Sequence, residues 1–127
     1  MPGYHVDGWD PPAPIVRATL RGPSGLSSFD VPLLIDTGAD VSVVPHSAAE
    51  AIGVPVDASA TPVEYLSGAR ELLDRAQLTI EFDRFRFDGV FLVTEAAYGI
   101  LGRNILNLLL LTLDGPRLTW SVLPSNS

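Results

Sequence analysis

Residues 33–40 read LLIDTGAD: three apolar residues are followed by a carboxylate, a hydroxyl and a glycine. The apolar part is typical of a buried strand, so Asp36 comes at the point where that strand ends. Burying an ionised carboxylate is costly unless the group is paired or hydrogen-bonded. Gly38 permits a tight turn, Thr37 supplies a hydroxyl, and the amides of such a turn can point at the carboxylate. Taken alone, the stretch fits either an ordinary turn that closes a strand or part of a catalytic site.

The sequence on both sides of this stretch is rich in strand signals. Residues 15–21 alternate between apolar and polar side chains, and residues 29–35 resume as a strand after a turn-rich segment. Further short strands are predicted at residues 41–44, 77–82, 86–93 and 118–122. Many short strands at roughly ten-residue spacing, with one or two small helices, predict an all-β barrel or sandwich.

Two short helices are predicted within this β-rich pattern. The first covers residues 47–53, with Ser47 as N-cap, Glu50 as its capping-box partner and Gly53 just past the end. The second is a helical turn that begins at Asn104.

Two segments have a less distinct pattern. Residues 69–78 have a helix-forming composition, but residues 63–73 also fit a strand, a Ser-Gly turn and a second strand, and we favour this hairpin. The leucine run over residues 108–111 is expected to lie in the core. Trp120 is expected to pack in the core or at a sheet edge.

Composition restricts the function. The 127 residues include 15 acidic residues against 8 arginines and no lysine, and a net charge of −7 argues against nucleic acid or an anionic membrane as partner. Without cysteine, disulfides and thiolate chemistry are excluded. No secretory signal is seen, and the apolar stretch at 105–113 is too short to span a bilayer. We expect a soluble, cytoplasmic protein with one domain at 15–122, an extended N-terminal segment at 1–14 and a polar tail at 123–127.

A second motif, YGILGRNIL at residues 98–106, lies about sixty residues after the first. Together with LLIDTGADVSVVP at residues 33–45, it resembles the two signature segments of the retropepsin-like aspartic proteases, the single-lobe relatives of pepsin. The resemblance covers roughly residues 15–122, and the two motifs are its specific part. It implies a retropepsin-like closed β-barrel or sandwich that acts as a symmetric homodimer. It also implies that the termini of the two subunits pair, which would place Trp120 at the dimer interface as an alternative to the core.

The resemblance implies a role for each residue of the first motif. Asp36 would be the catalytic residue, and Thr37 would support the active-site loop through hydroxyl-to-backbone contacts between the two subunits. Gly38 would line the main chain of a peptide substrate, and Ala39 and Asp40 would also contact the substrate.

The second motif would support the first. Asp40 would form a structural ion pair with Arg103, which ties the active-site loop to the helix that follows. The resemblance implies no cofactor and no metal, and the two histidines, His5 and His46, lie too far apart in sequence to favour a metal site.

The implied mechanism requires two carboxylates about one hydrogen bond apart. Two charges so close cannot both ionise easily, so the pair shares a proton and titrates in two separated steps. The chain holds one Asp-Thr-Gly triplet and has no room for a second lobe. A second Asp36 would therefore come from a second subunit, and the expected partners are a second copy of the chain and a peptide or protein substrate.

The hairpin expected to cover the cleft is where the resemblance is weakest. It would span residues 61–75 and contact the substrate through its tip, in which Gly68 is the one glycine. The tip residues in question are Tyr65, Leu66, Ser67 and Gly68. The unusual tip leaves an alternative open, in which the same dimeric fold binds a peptide or assembles a larger protein without catalysis.

Overall fold

Short strands dominate the computed structural model, which describes residues 3–5, 8–64, 68 and 70–124. The strands are β1 (Tyr4–His5), β2 (Ala13–Arg21), β3 (Ser27–Ile35), β4 (Val43–Pro45), β5 (Val56–Glu64), β6 (Arg70–Phe82), β7 (Phe85–Thr94), β8 (Gly99–Leu101), β9 (Leu109–Asp114) and β10 (Thr119–Pro124). The helices are α1 (His46–Ala51) and α2 (Arg103–Leu106). In the part of the chain so described, no helix has the length and apolarity needed to cross a membrane.

The strands close into a barrel. Neighbouring strands follow the order β2-β3-β8-β4-β7-β6, and pairing of β2 with β6 completes the ring. β1 adds to β2 on one side, β5 adds to β6 on the other, and β9 and β10 form a separate antiparallel pair. The predicted all-β barrel with two short helices is confirmed.

Alternate residues of the barrel strands fill the core. On β2, Val16, Ala18 and Leu20 are buried whereas Arg17 and Arg21 are exposed. This is the alternation that predicted the strand from the sequence.

Trp120 belongs to this core within a single chain. Its side chain is 3% exposed, its Nε1–H donates to the Ile15 carbonyl oxygen at 3.2 Å, and its ring meets Phe82 edge-on. Of the expected positions for Trp120, the core is therefore the one found.

Helix α1 begins differently from the prediction. Pro45 occupies the N-cap and no side chain caps the helix, so the predicted capping box of Ser47 and Glu50 is wrong. Strand β4 runs directly into the helix through Pro45, which leaves no loop residue free to act as a side-chain cap. The predicted end is correct: Gly53 has φ +69° and its N–H donates to the Glu50 carbonyl oxygen at 3.0 Å.

The strand pairing predicted for the hairpin over residues 63–73 is confirmed. β5 and β6 pair antiparallel as far as Glu64 opposite Arg70, so residues 70–78 are strand and not helix despite their composition. Cross-strand pairing outweighs the weak helical propensity of this segment. At the tip, Gly68 is exposed with φ +85°, and residues 65–67 lie outside the described residues.

Only half of the leucine run after α2 packs on the core, whereas the prediction placed all of residues 108–111 there. Only one face of the β9–β10 pair packs on the barrel, through Leu109 and Leu111. On the other face Leu108 is 55% exposed, Leu110 is 57% exposed and Leu123, opposite Leu110, is 61% exposed. An unbroken leucine run contains no polar residue that could indicate from sequence which face is outside.

Candidate active site

Asp36 lies where β3 leaves the barrel. β3 runs parallel to β8 with Ile35 opposite Leu101, and the Asp36 N–H donates to the Leu101 carbonyl oxygen at 3.1 Å. The Gly38 N–H donates to Asp36 Oδ1 at 2.9 Å. Strand pairing and the turn amide together hold a half-buried carboxylate at the surface of the chain.

Hydrogen bonds from α2 hold the loop that follows Asp36. Arg103 Nη1 donates to the Thr37 carbonyl oxygen at 2.7 Å, and the Arg103 N–H donates to the Ala39 carbonyl oxygen at 2.8 Å. Among the ion pairs of the described residues none joins Arg103 to Asp40, so the pair expected from the sequence is not formed within one chain. The guanidinium binds a loop carbonyl instead, and the exposed Asp40 side chain faces solvent.

Gly102 allows the two motifs to touch. A Cβ at this position would overlap the carbonyl group of Val41 and lie 3.0 Å from the Ala39 carbonyl oxygen. Only a residue without a side chain lets α2 begin so close to the active-site loop.

Ser42 makes a further contact between the motifs that the sequence analysis did not single out. Its side chain is buried; its Oγ donates to Asn104 Oδ1 at 2.7 Å and accepts from the Gly102 N–H at 2.9 Å. The one sequence feature that could have indicated this contact is the hydroxyl of Ser42 within an otherwise apolar, β-branched run at residues 41–44.

An apolar row crosses four strands beside the carboxylate. Its members stand opposite one another in the sheet and alternate with residues that face the core, so they share the outer face of the barrel. This outer apolar row consists of Leu34 on β3, Ile100 on β8, Val43 on β4 and Leu92 on β7. Asp36 follows Leu34 by two residues and so continues the same face. Leu73 of β6 packs on Val43 and Leu92.

The structure gathers most of the predicted site into one loop. Asp36 and Ala39 are half-buried, Thr37, Gly38 and Asp40 are exposed, and all five lie beside the first residues of α2. Of the predicted hairpin contacts, Gly68 is described and residues 65–67 are not.

Comparison with known proteins agrees with the fold and the two motifs. A family model described as aspartyl protease matches residues 16–105, which is most of the chain and includes the first motif and all but the last residue of the second. A solved structure of the EIAV protease complexed with the inhibitor HBY-793 is similar in fold, with 21% identity and a TM-score of 0.60 over 82% of this chain and 90% of that chain. No curated protein matches the sequence.

Proposed function

Because the chain belongs to the aspartyl protease family, we propose that it is an aspartic endopeptidase whose active unit is a homodimer. The observation that carries the proposal is Asp36 at a strand end, with the Gly38 amide on its carboxylate and the second motif hydrogen-bonded to its loop. One chain supplies one such carboxylate and the chemistry requires two. The second is Asp36 of the partner subunit, related by a twofold axis.

In the proposed reaction the two Asp36 carboxyl groups share a single proton. The ionised carboxylate takes a proton from a water molecule, whose oxygen attacks the carbonyl carbon of the scissile peptide bond. The protonated carboxyl donates its proton to the carbonyl oxygen, which gives a tetrahedral intermediate. Collapse of this intermediate breaks the C–N bond. The carboxyl that took the proton from water gives it to the departing nitrogen, and the other carboxylate takes a proton from a hydroxyl of the intermediate, so the dyad again holds one proton.

The outer apolar row supports a substrate with apolar side chains next to the scissile bond. Leu34 and Ile100 are half-buried and stand on the same face as Asp36, while Leu92 and Val43 continue the row. Val43 and Leu92 are already buried, at 6% and 7% exposed. Apolar side chains of a bound peptide would remove the exposed surface of Leu34 and Ile100 from water, and each buried methylene contributes about 0.8 kcal/mol.

The exposed leucines of the β9–β10 pair support a homodimer. Leu108, Leu110 and Leu123 project from a face on which no charged residue stands between them, in a chain with a net charge of −7. Exposed apolar surface of this kind is typical of a protein interface. The pair follows directly after α2, so an interface here connects with the active-site loop.

Glutamate at both Leu110 and Leu123 is therefore expected to produce monomers and to abolish cleavage. Each leucine contributes about 1.5 kcal/mol or more when buried, and a symmetric dimer loses both leucines in each subunit, so the dimer should weaken by on the order of 10⁴-fold. Light scattering after gel filtration measures the mass directly. The matched control is Leu26→Glu, an equally exposed leucine in the turn between β2 and β3, which should leave the dimer intact. A double variant that stays dimeric would place the interface elsewhere.

Cleavage is expected to follow a bell-shaped, acidic pH profile. Activity requires one proton on the dyad, so it should fall at high pH as both carboxyl groups ionise and at low pH as both become protonated. The check is kcat/KM measured between about pH 3 and pH 8. Activity that keeps rising towards alkaline pH would contradict a carboxylate dyad.

Turnover on an unfolded protein or a peptide library, with a statine-type transition-state mimic as inhibitor, tests the proposal as a whole. We expect cleavage that the mimic suppresses, since such compounds imitate the tetrahedral intermediate. Tight binding of peptides without any turnover would instead establish the dimeric binding or assembly module of the same fold.

A further inference from the structure

Ser42 is a buried polar residue whose hydroxyl is satisfied on both sides. The side chain is 1% exposed, donates to Asn104 Oδ1 at 2.7 Å and accepts from the Gly102 N–H at 2.9 Å. A buried hydroxyl without hydrogen-bond partners destabilises the folded state, so the fold favours the one arrangement in which both of these bonds form. Both partners belong to the start of α2.

The end of β8 and the start of α2 together hold the loop of Asp36. The Leu101 carbonyl oxygen of β8 accepts from the Asp36 N–H at 3.1 Å, and the Arg103 N–H of α2 donates to the Ala39 carbonyl oxygen at 2.8 Å. The Arg103 side chain adds the bond of 2.7 Å to the Thr37 carbonyl oxygen. The loop after Asp36 is therefore held by α2, and Ser42, just beyond that loop, fixes the start of α2 from the other side.

We propose that Ser42 is a positioning residue, whose hydroxyl fixes Gly102 and Asn104 and thereby sets the Asp36 carboxylate at the distance its partner in the dimer requires. This inference rests on the proposed function. Ser42 does not touch the reacting atoms and acts through α2.

The charged groups near Asp36 are few, which makes the shared proton sensitive to the distance between the two carboxylates. β4 and β8 carry no titratable side chain, the loop itself carries Asp40, and α2 carries Arg103. If the loop shifts, the carboxylates separate and repel each other less. The dyad then holds a single proton over a narrower pH range.

Ser42→Ala in the full-length protein tests this inference. We expect kcat to fall about tenfold while KM changes less than about twofold, because misplacement acts on the chemical step. We also expect the bell-shaped pH profile of cleavage to narrow on its acidic and on its alkaline side. In a ¹³C NMR titration of the Asp36 carboxyl groups, the two protonation steps should lie closer together. Ser42→Thr keeps the hydroxyl and should restore both readouts. An alanine variant with the wild-type kcat and with a pH profile as wide as that of the wild type would overturn the inference.

Thr79→Val is the matched control for loss of a buried hydroxyl. Thr79 is 9% exposed and its Oγ1 donates to Asp88 Oδ1 at 2.5 Å on β6 and β7, away from the active-site loop. The Thr79→Val variant should have a lower melting temperature and a pH profile of cleavage as wide as that of the wild type. Equal narrowing of the pH profile in Thr79→Val and Ser42→Ala would overturn the inference.

Asn104→Ala decides the matter if Ser42→Ala does not fold. Asn104 is exposed, so its loss spares the core but removes the acceptor of the Ser42 hydroxyl. We expect the pH profile of Asn104→Ala to narrow less than that of Ser42→Ala. A profile as wide as that of the wild type would overturn the inference. If the wild-type protein cleaves nothing, the proposed function fails, while the NMR titrations of wild type and variants still test the positioning.

Discussion

Asparagine in place of Asp36 is expected to abolish peptide cleavage, with a loss on the order of 10⁴-fold or more. The amide cannot take a proton from water, and because both members of the proposed dyad are the same residue, one substitution removes both. The carbonyl oxygen of asparagine can still accept from the Gly38 N–H, which lies 2.9 Å from the carboxylate oxygen. The fold should therefore persist, and the dimer should gain from lost charge repulsion. Turnover of a peptide substrate and gel filtration measure the two effects.

Asp30→Asn is the matched control for this substitution. Asp30 is an exposed aspartate of the same strand, β3, and its φ of 55° is one that asparagine adopts readily. This variant should retain wild-type turnover. Normal cleavage by the Asp36 variant would remove Asp36 from the chemistry and leave the proposed mechanism without its central group.

Gly102→Ala is expected to cause a large loss of stability. The new Cβ would overlap the Val41 carbonyl group and approach the Ala39 carbonyl oxygen to 3.0 Å, and both neighbours are backbone that no rotamer change can move. α2 must then separate from the active-site loop, at a cost of about 3 kcal/mol or more. Thermal unfolding should shift downwards by on the order of 10 °C. Cleavage should fall with it, since the loop loses its bond from the Arg103 N–H.

Gly115→Ala provides the comparison. A Cβ at Gly115 has nothing within 4 Å, so this variant should unfold at the wild-type temperature. Equal melting temperatures for the two alanine variants would show that α2 and the loop can separate without cost.

The sequence predicts the barrel well where side-chain alternation is regular. In β2, residues 16, 18 and 20 are apolar and residues 17, 19 and 21 are polar, which determines both the strand and its buried face. The place of Asp36 is predictable for a similar reason, because a strand of three apolar residues ends directly before it. These features depend on neighbours in the chain and can be derived from a local pattern.

Features that depend on distant partners could not be derived in this way. Arg103 binds the Thr37 carbonyl oxygen and not the Asp40 side chain, a choice between two acceptors that lie close together in one loop. The role of Ser42 depends on Asn104, which lies 62 residues away in the sequence. From the sequence, Leu110 is expected to lie in the core because it belongs to an apolar run. Its exposure depends on how the β9–β10 pair docks on the barrel, which no local pattern indicates.

The closed ring of barrel strands separates folding from association. β2 pairs with β6 inside one chain, so the barrel and its core are complete before any second copy arrives. If the proposed mechanism holds, a chain at high dilution would be folded but inactive, with a single carboxylate and no second carboxylate to share its proton. In the proposed enzyme, specific activity would rise with protein concentration until the dimer is saturated. The concentration of the protein would then control its proteolytic activity.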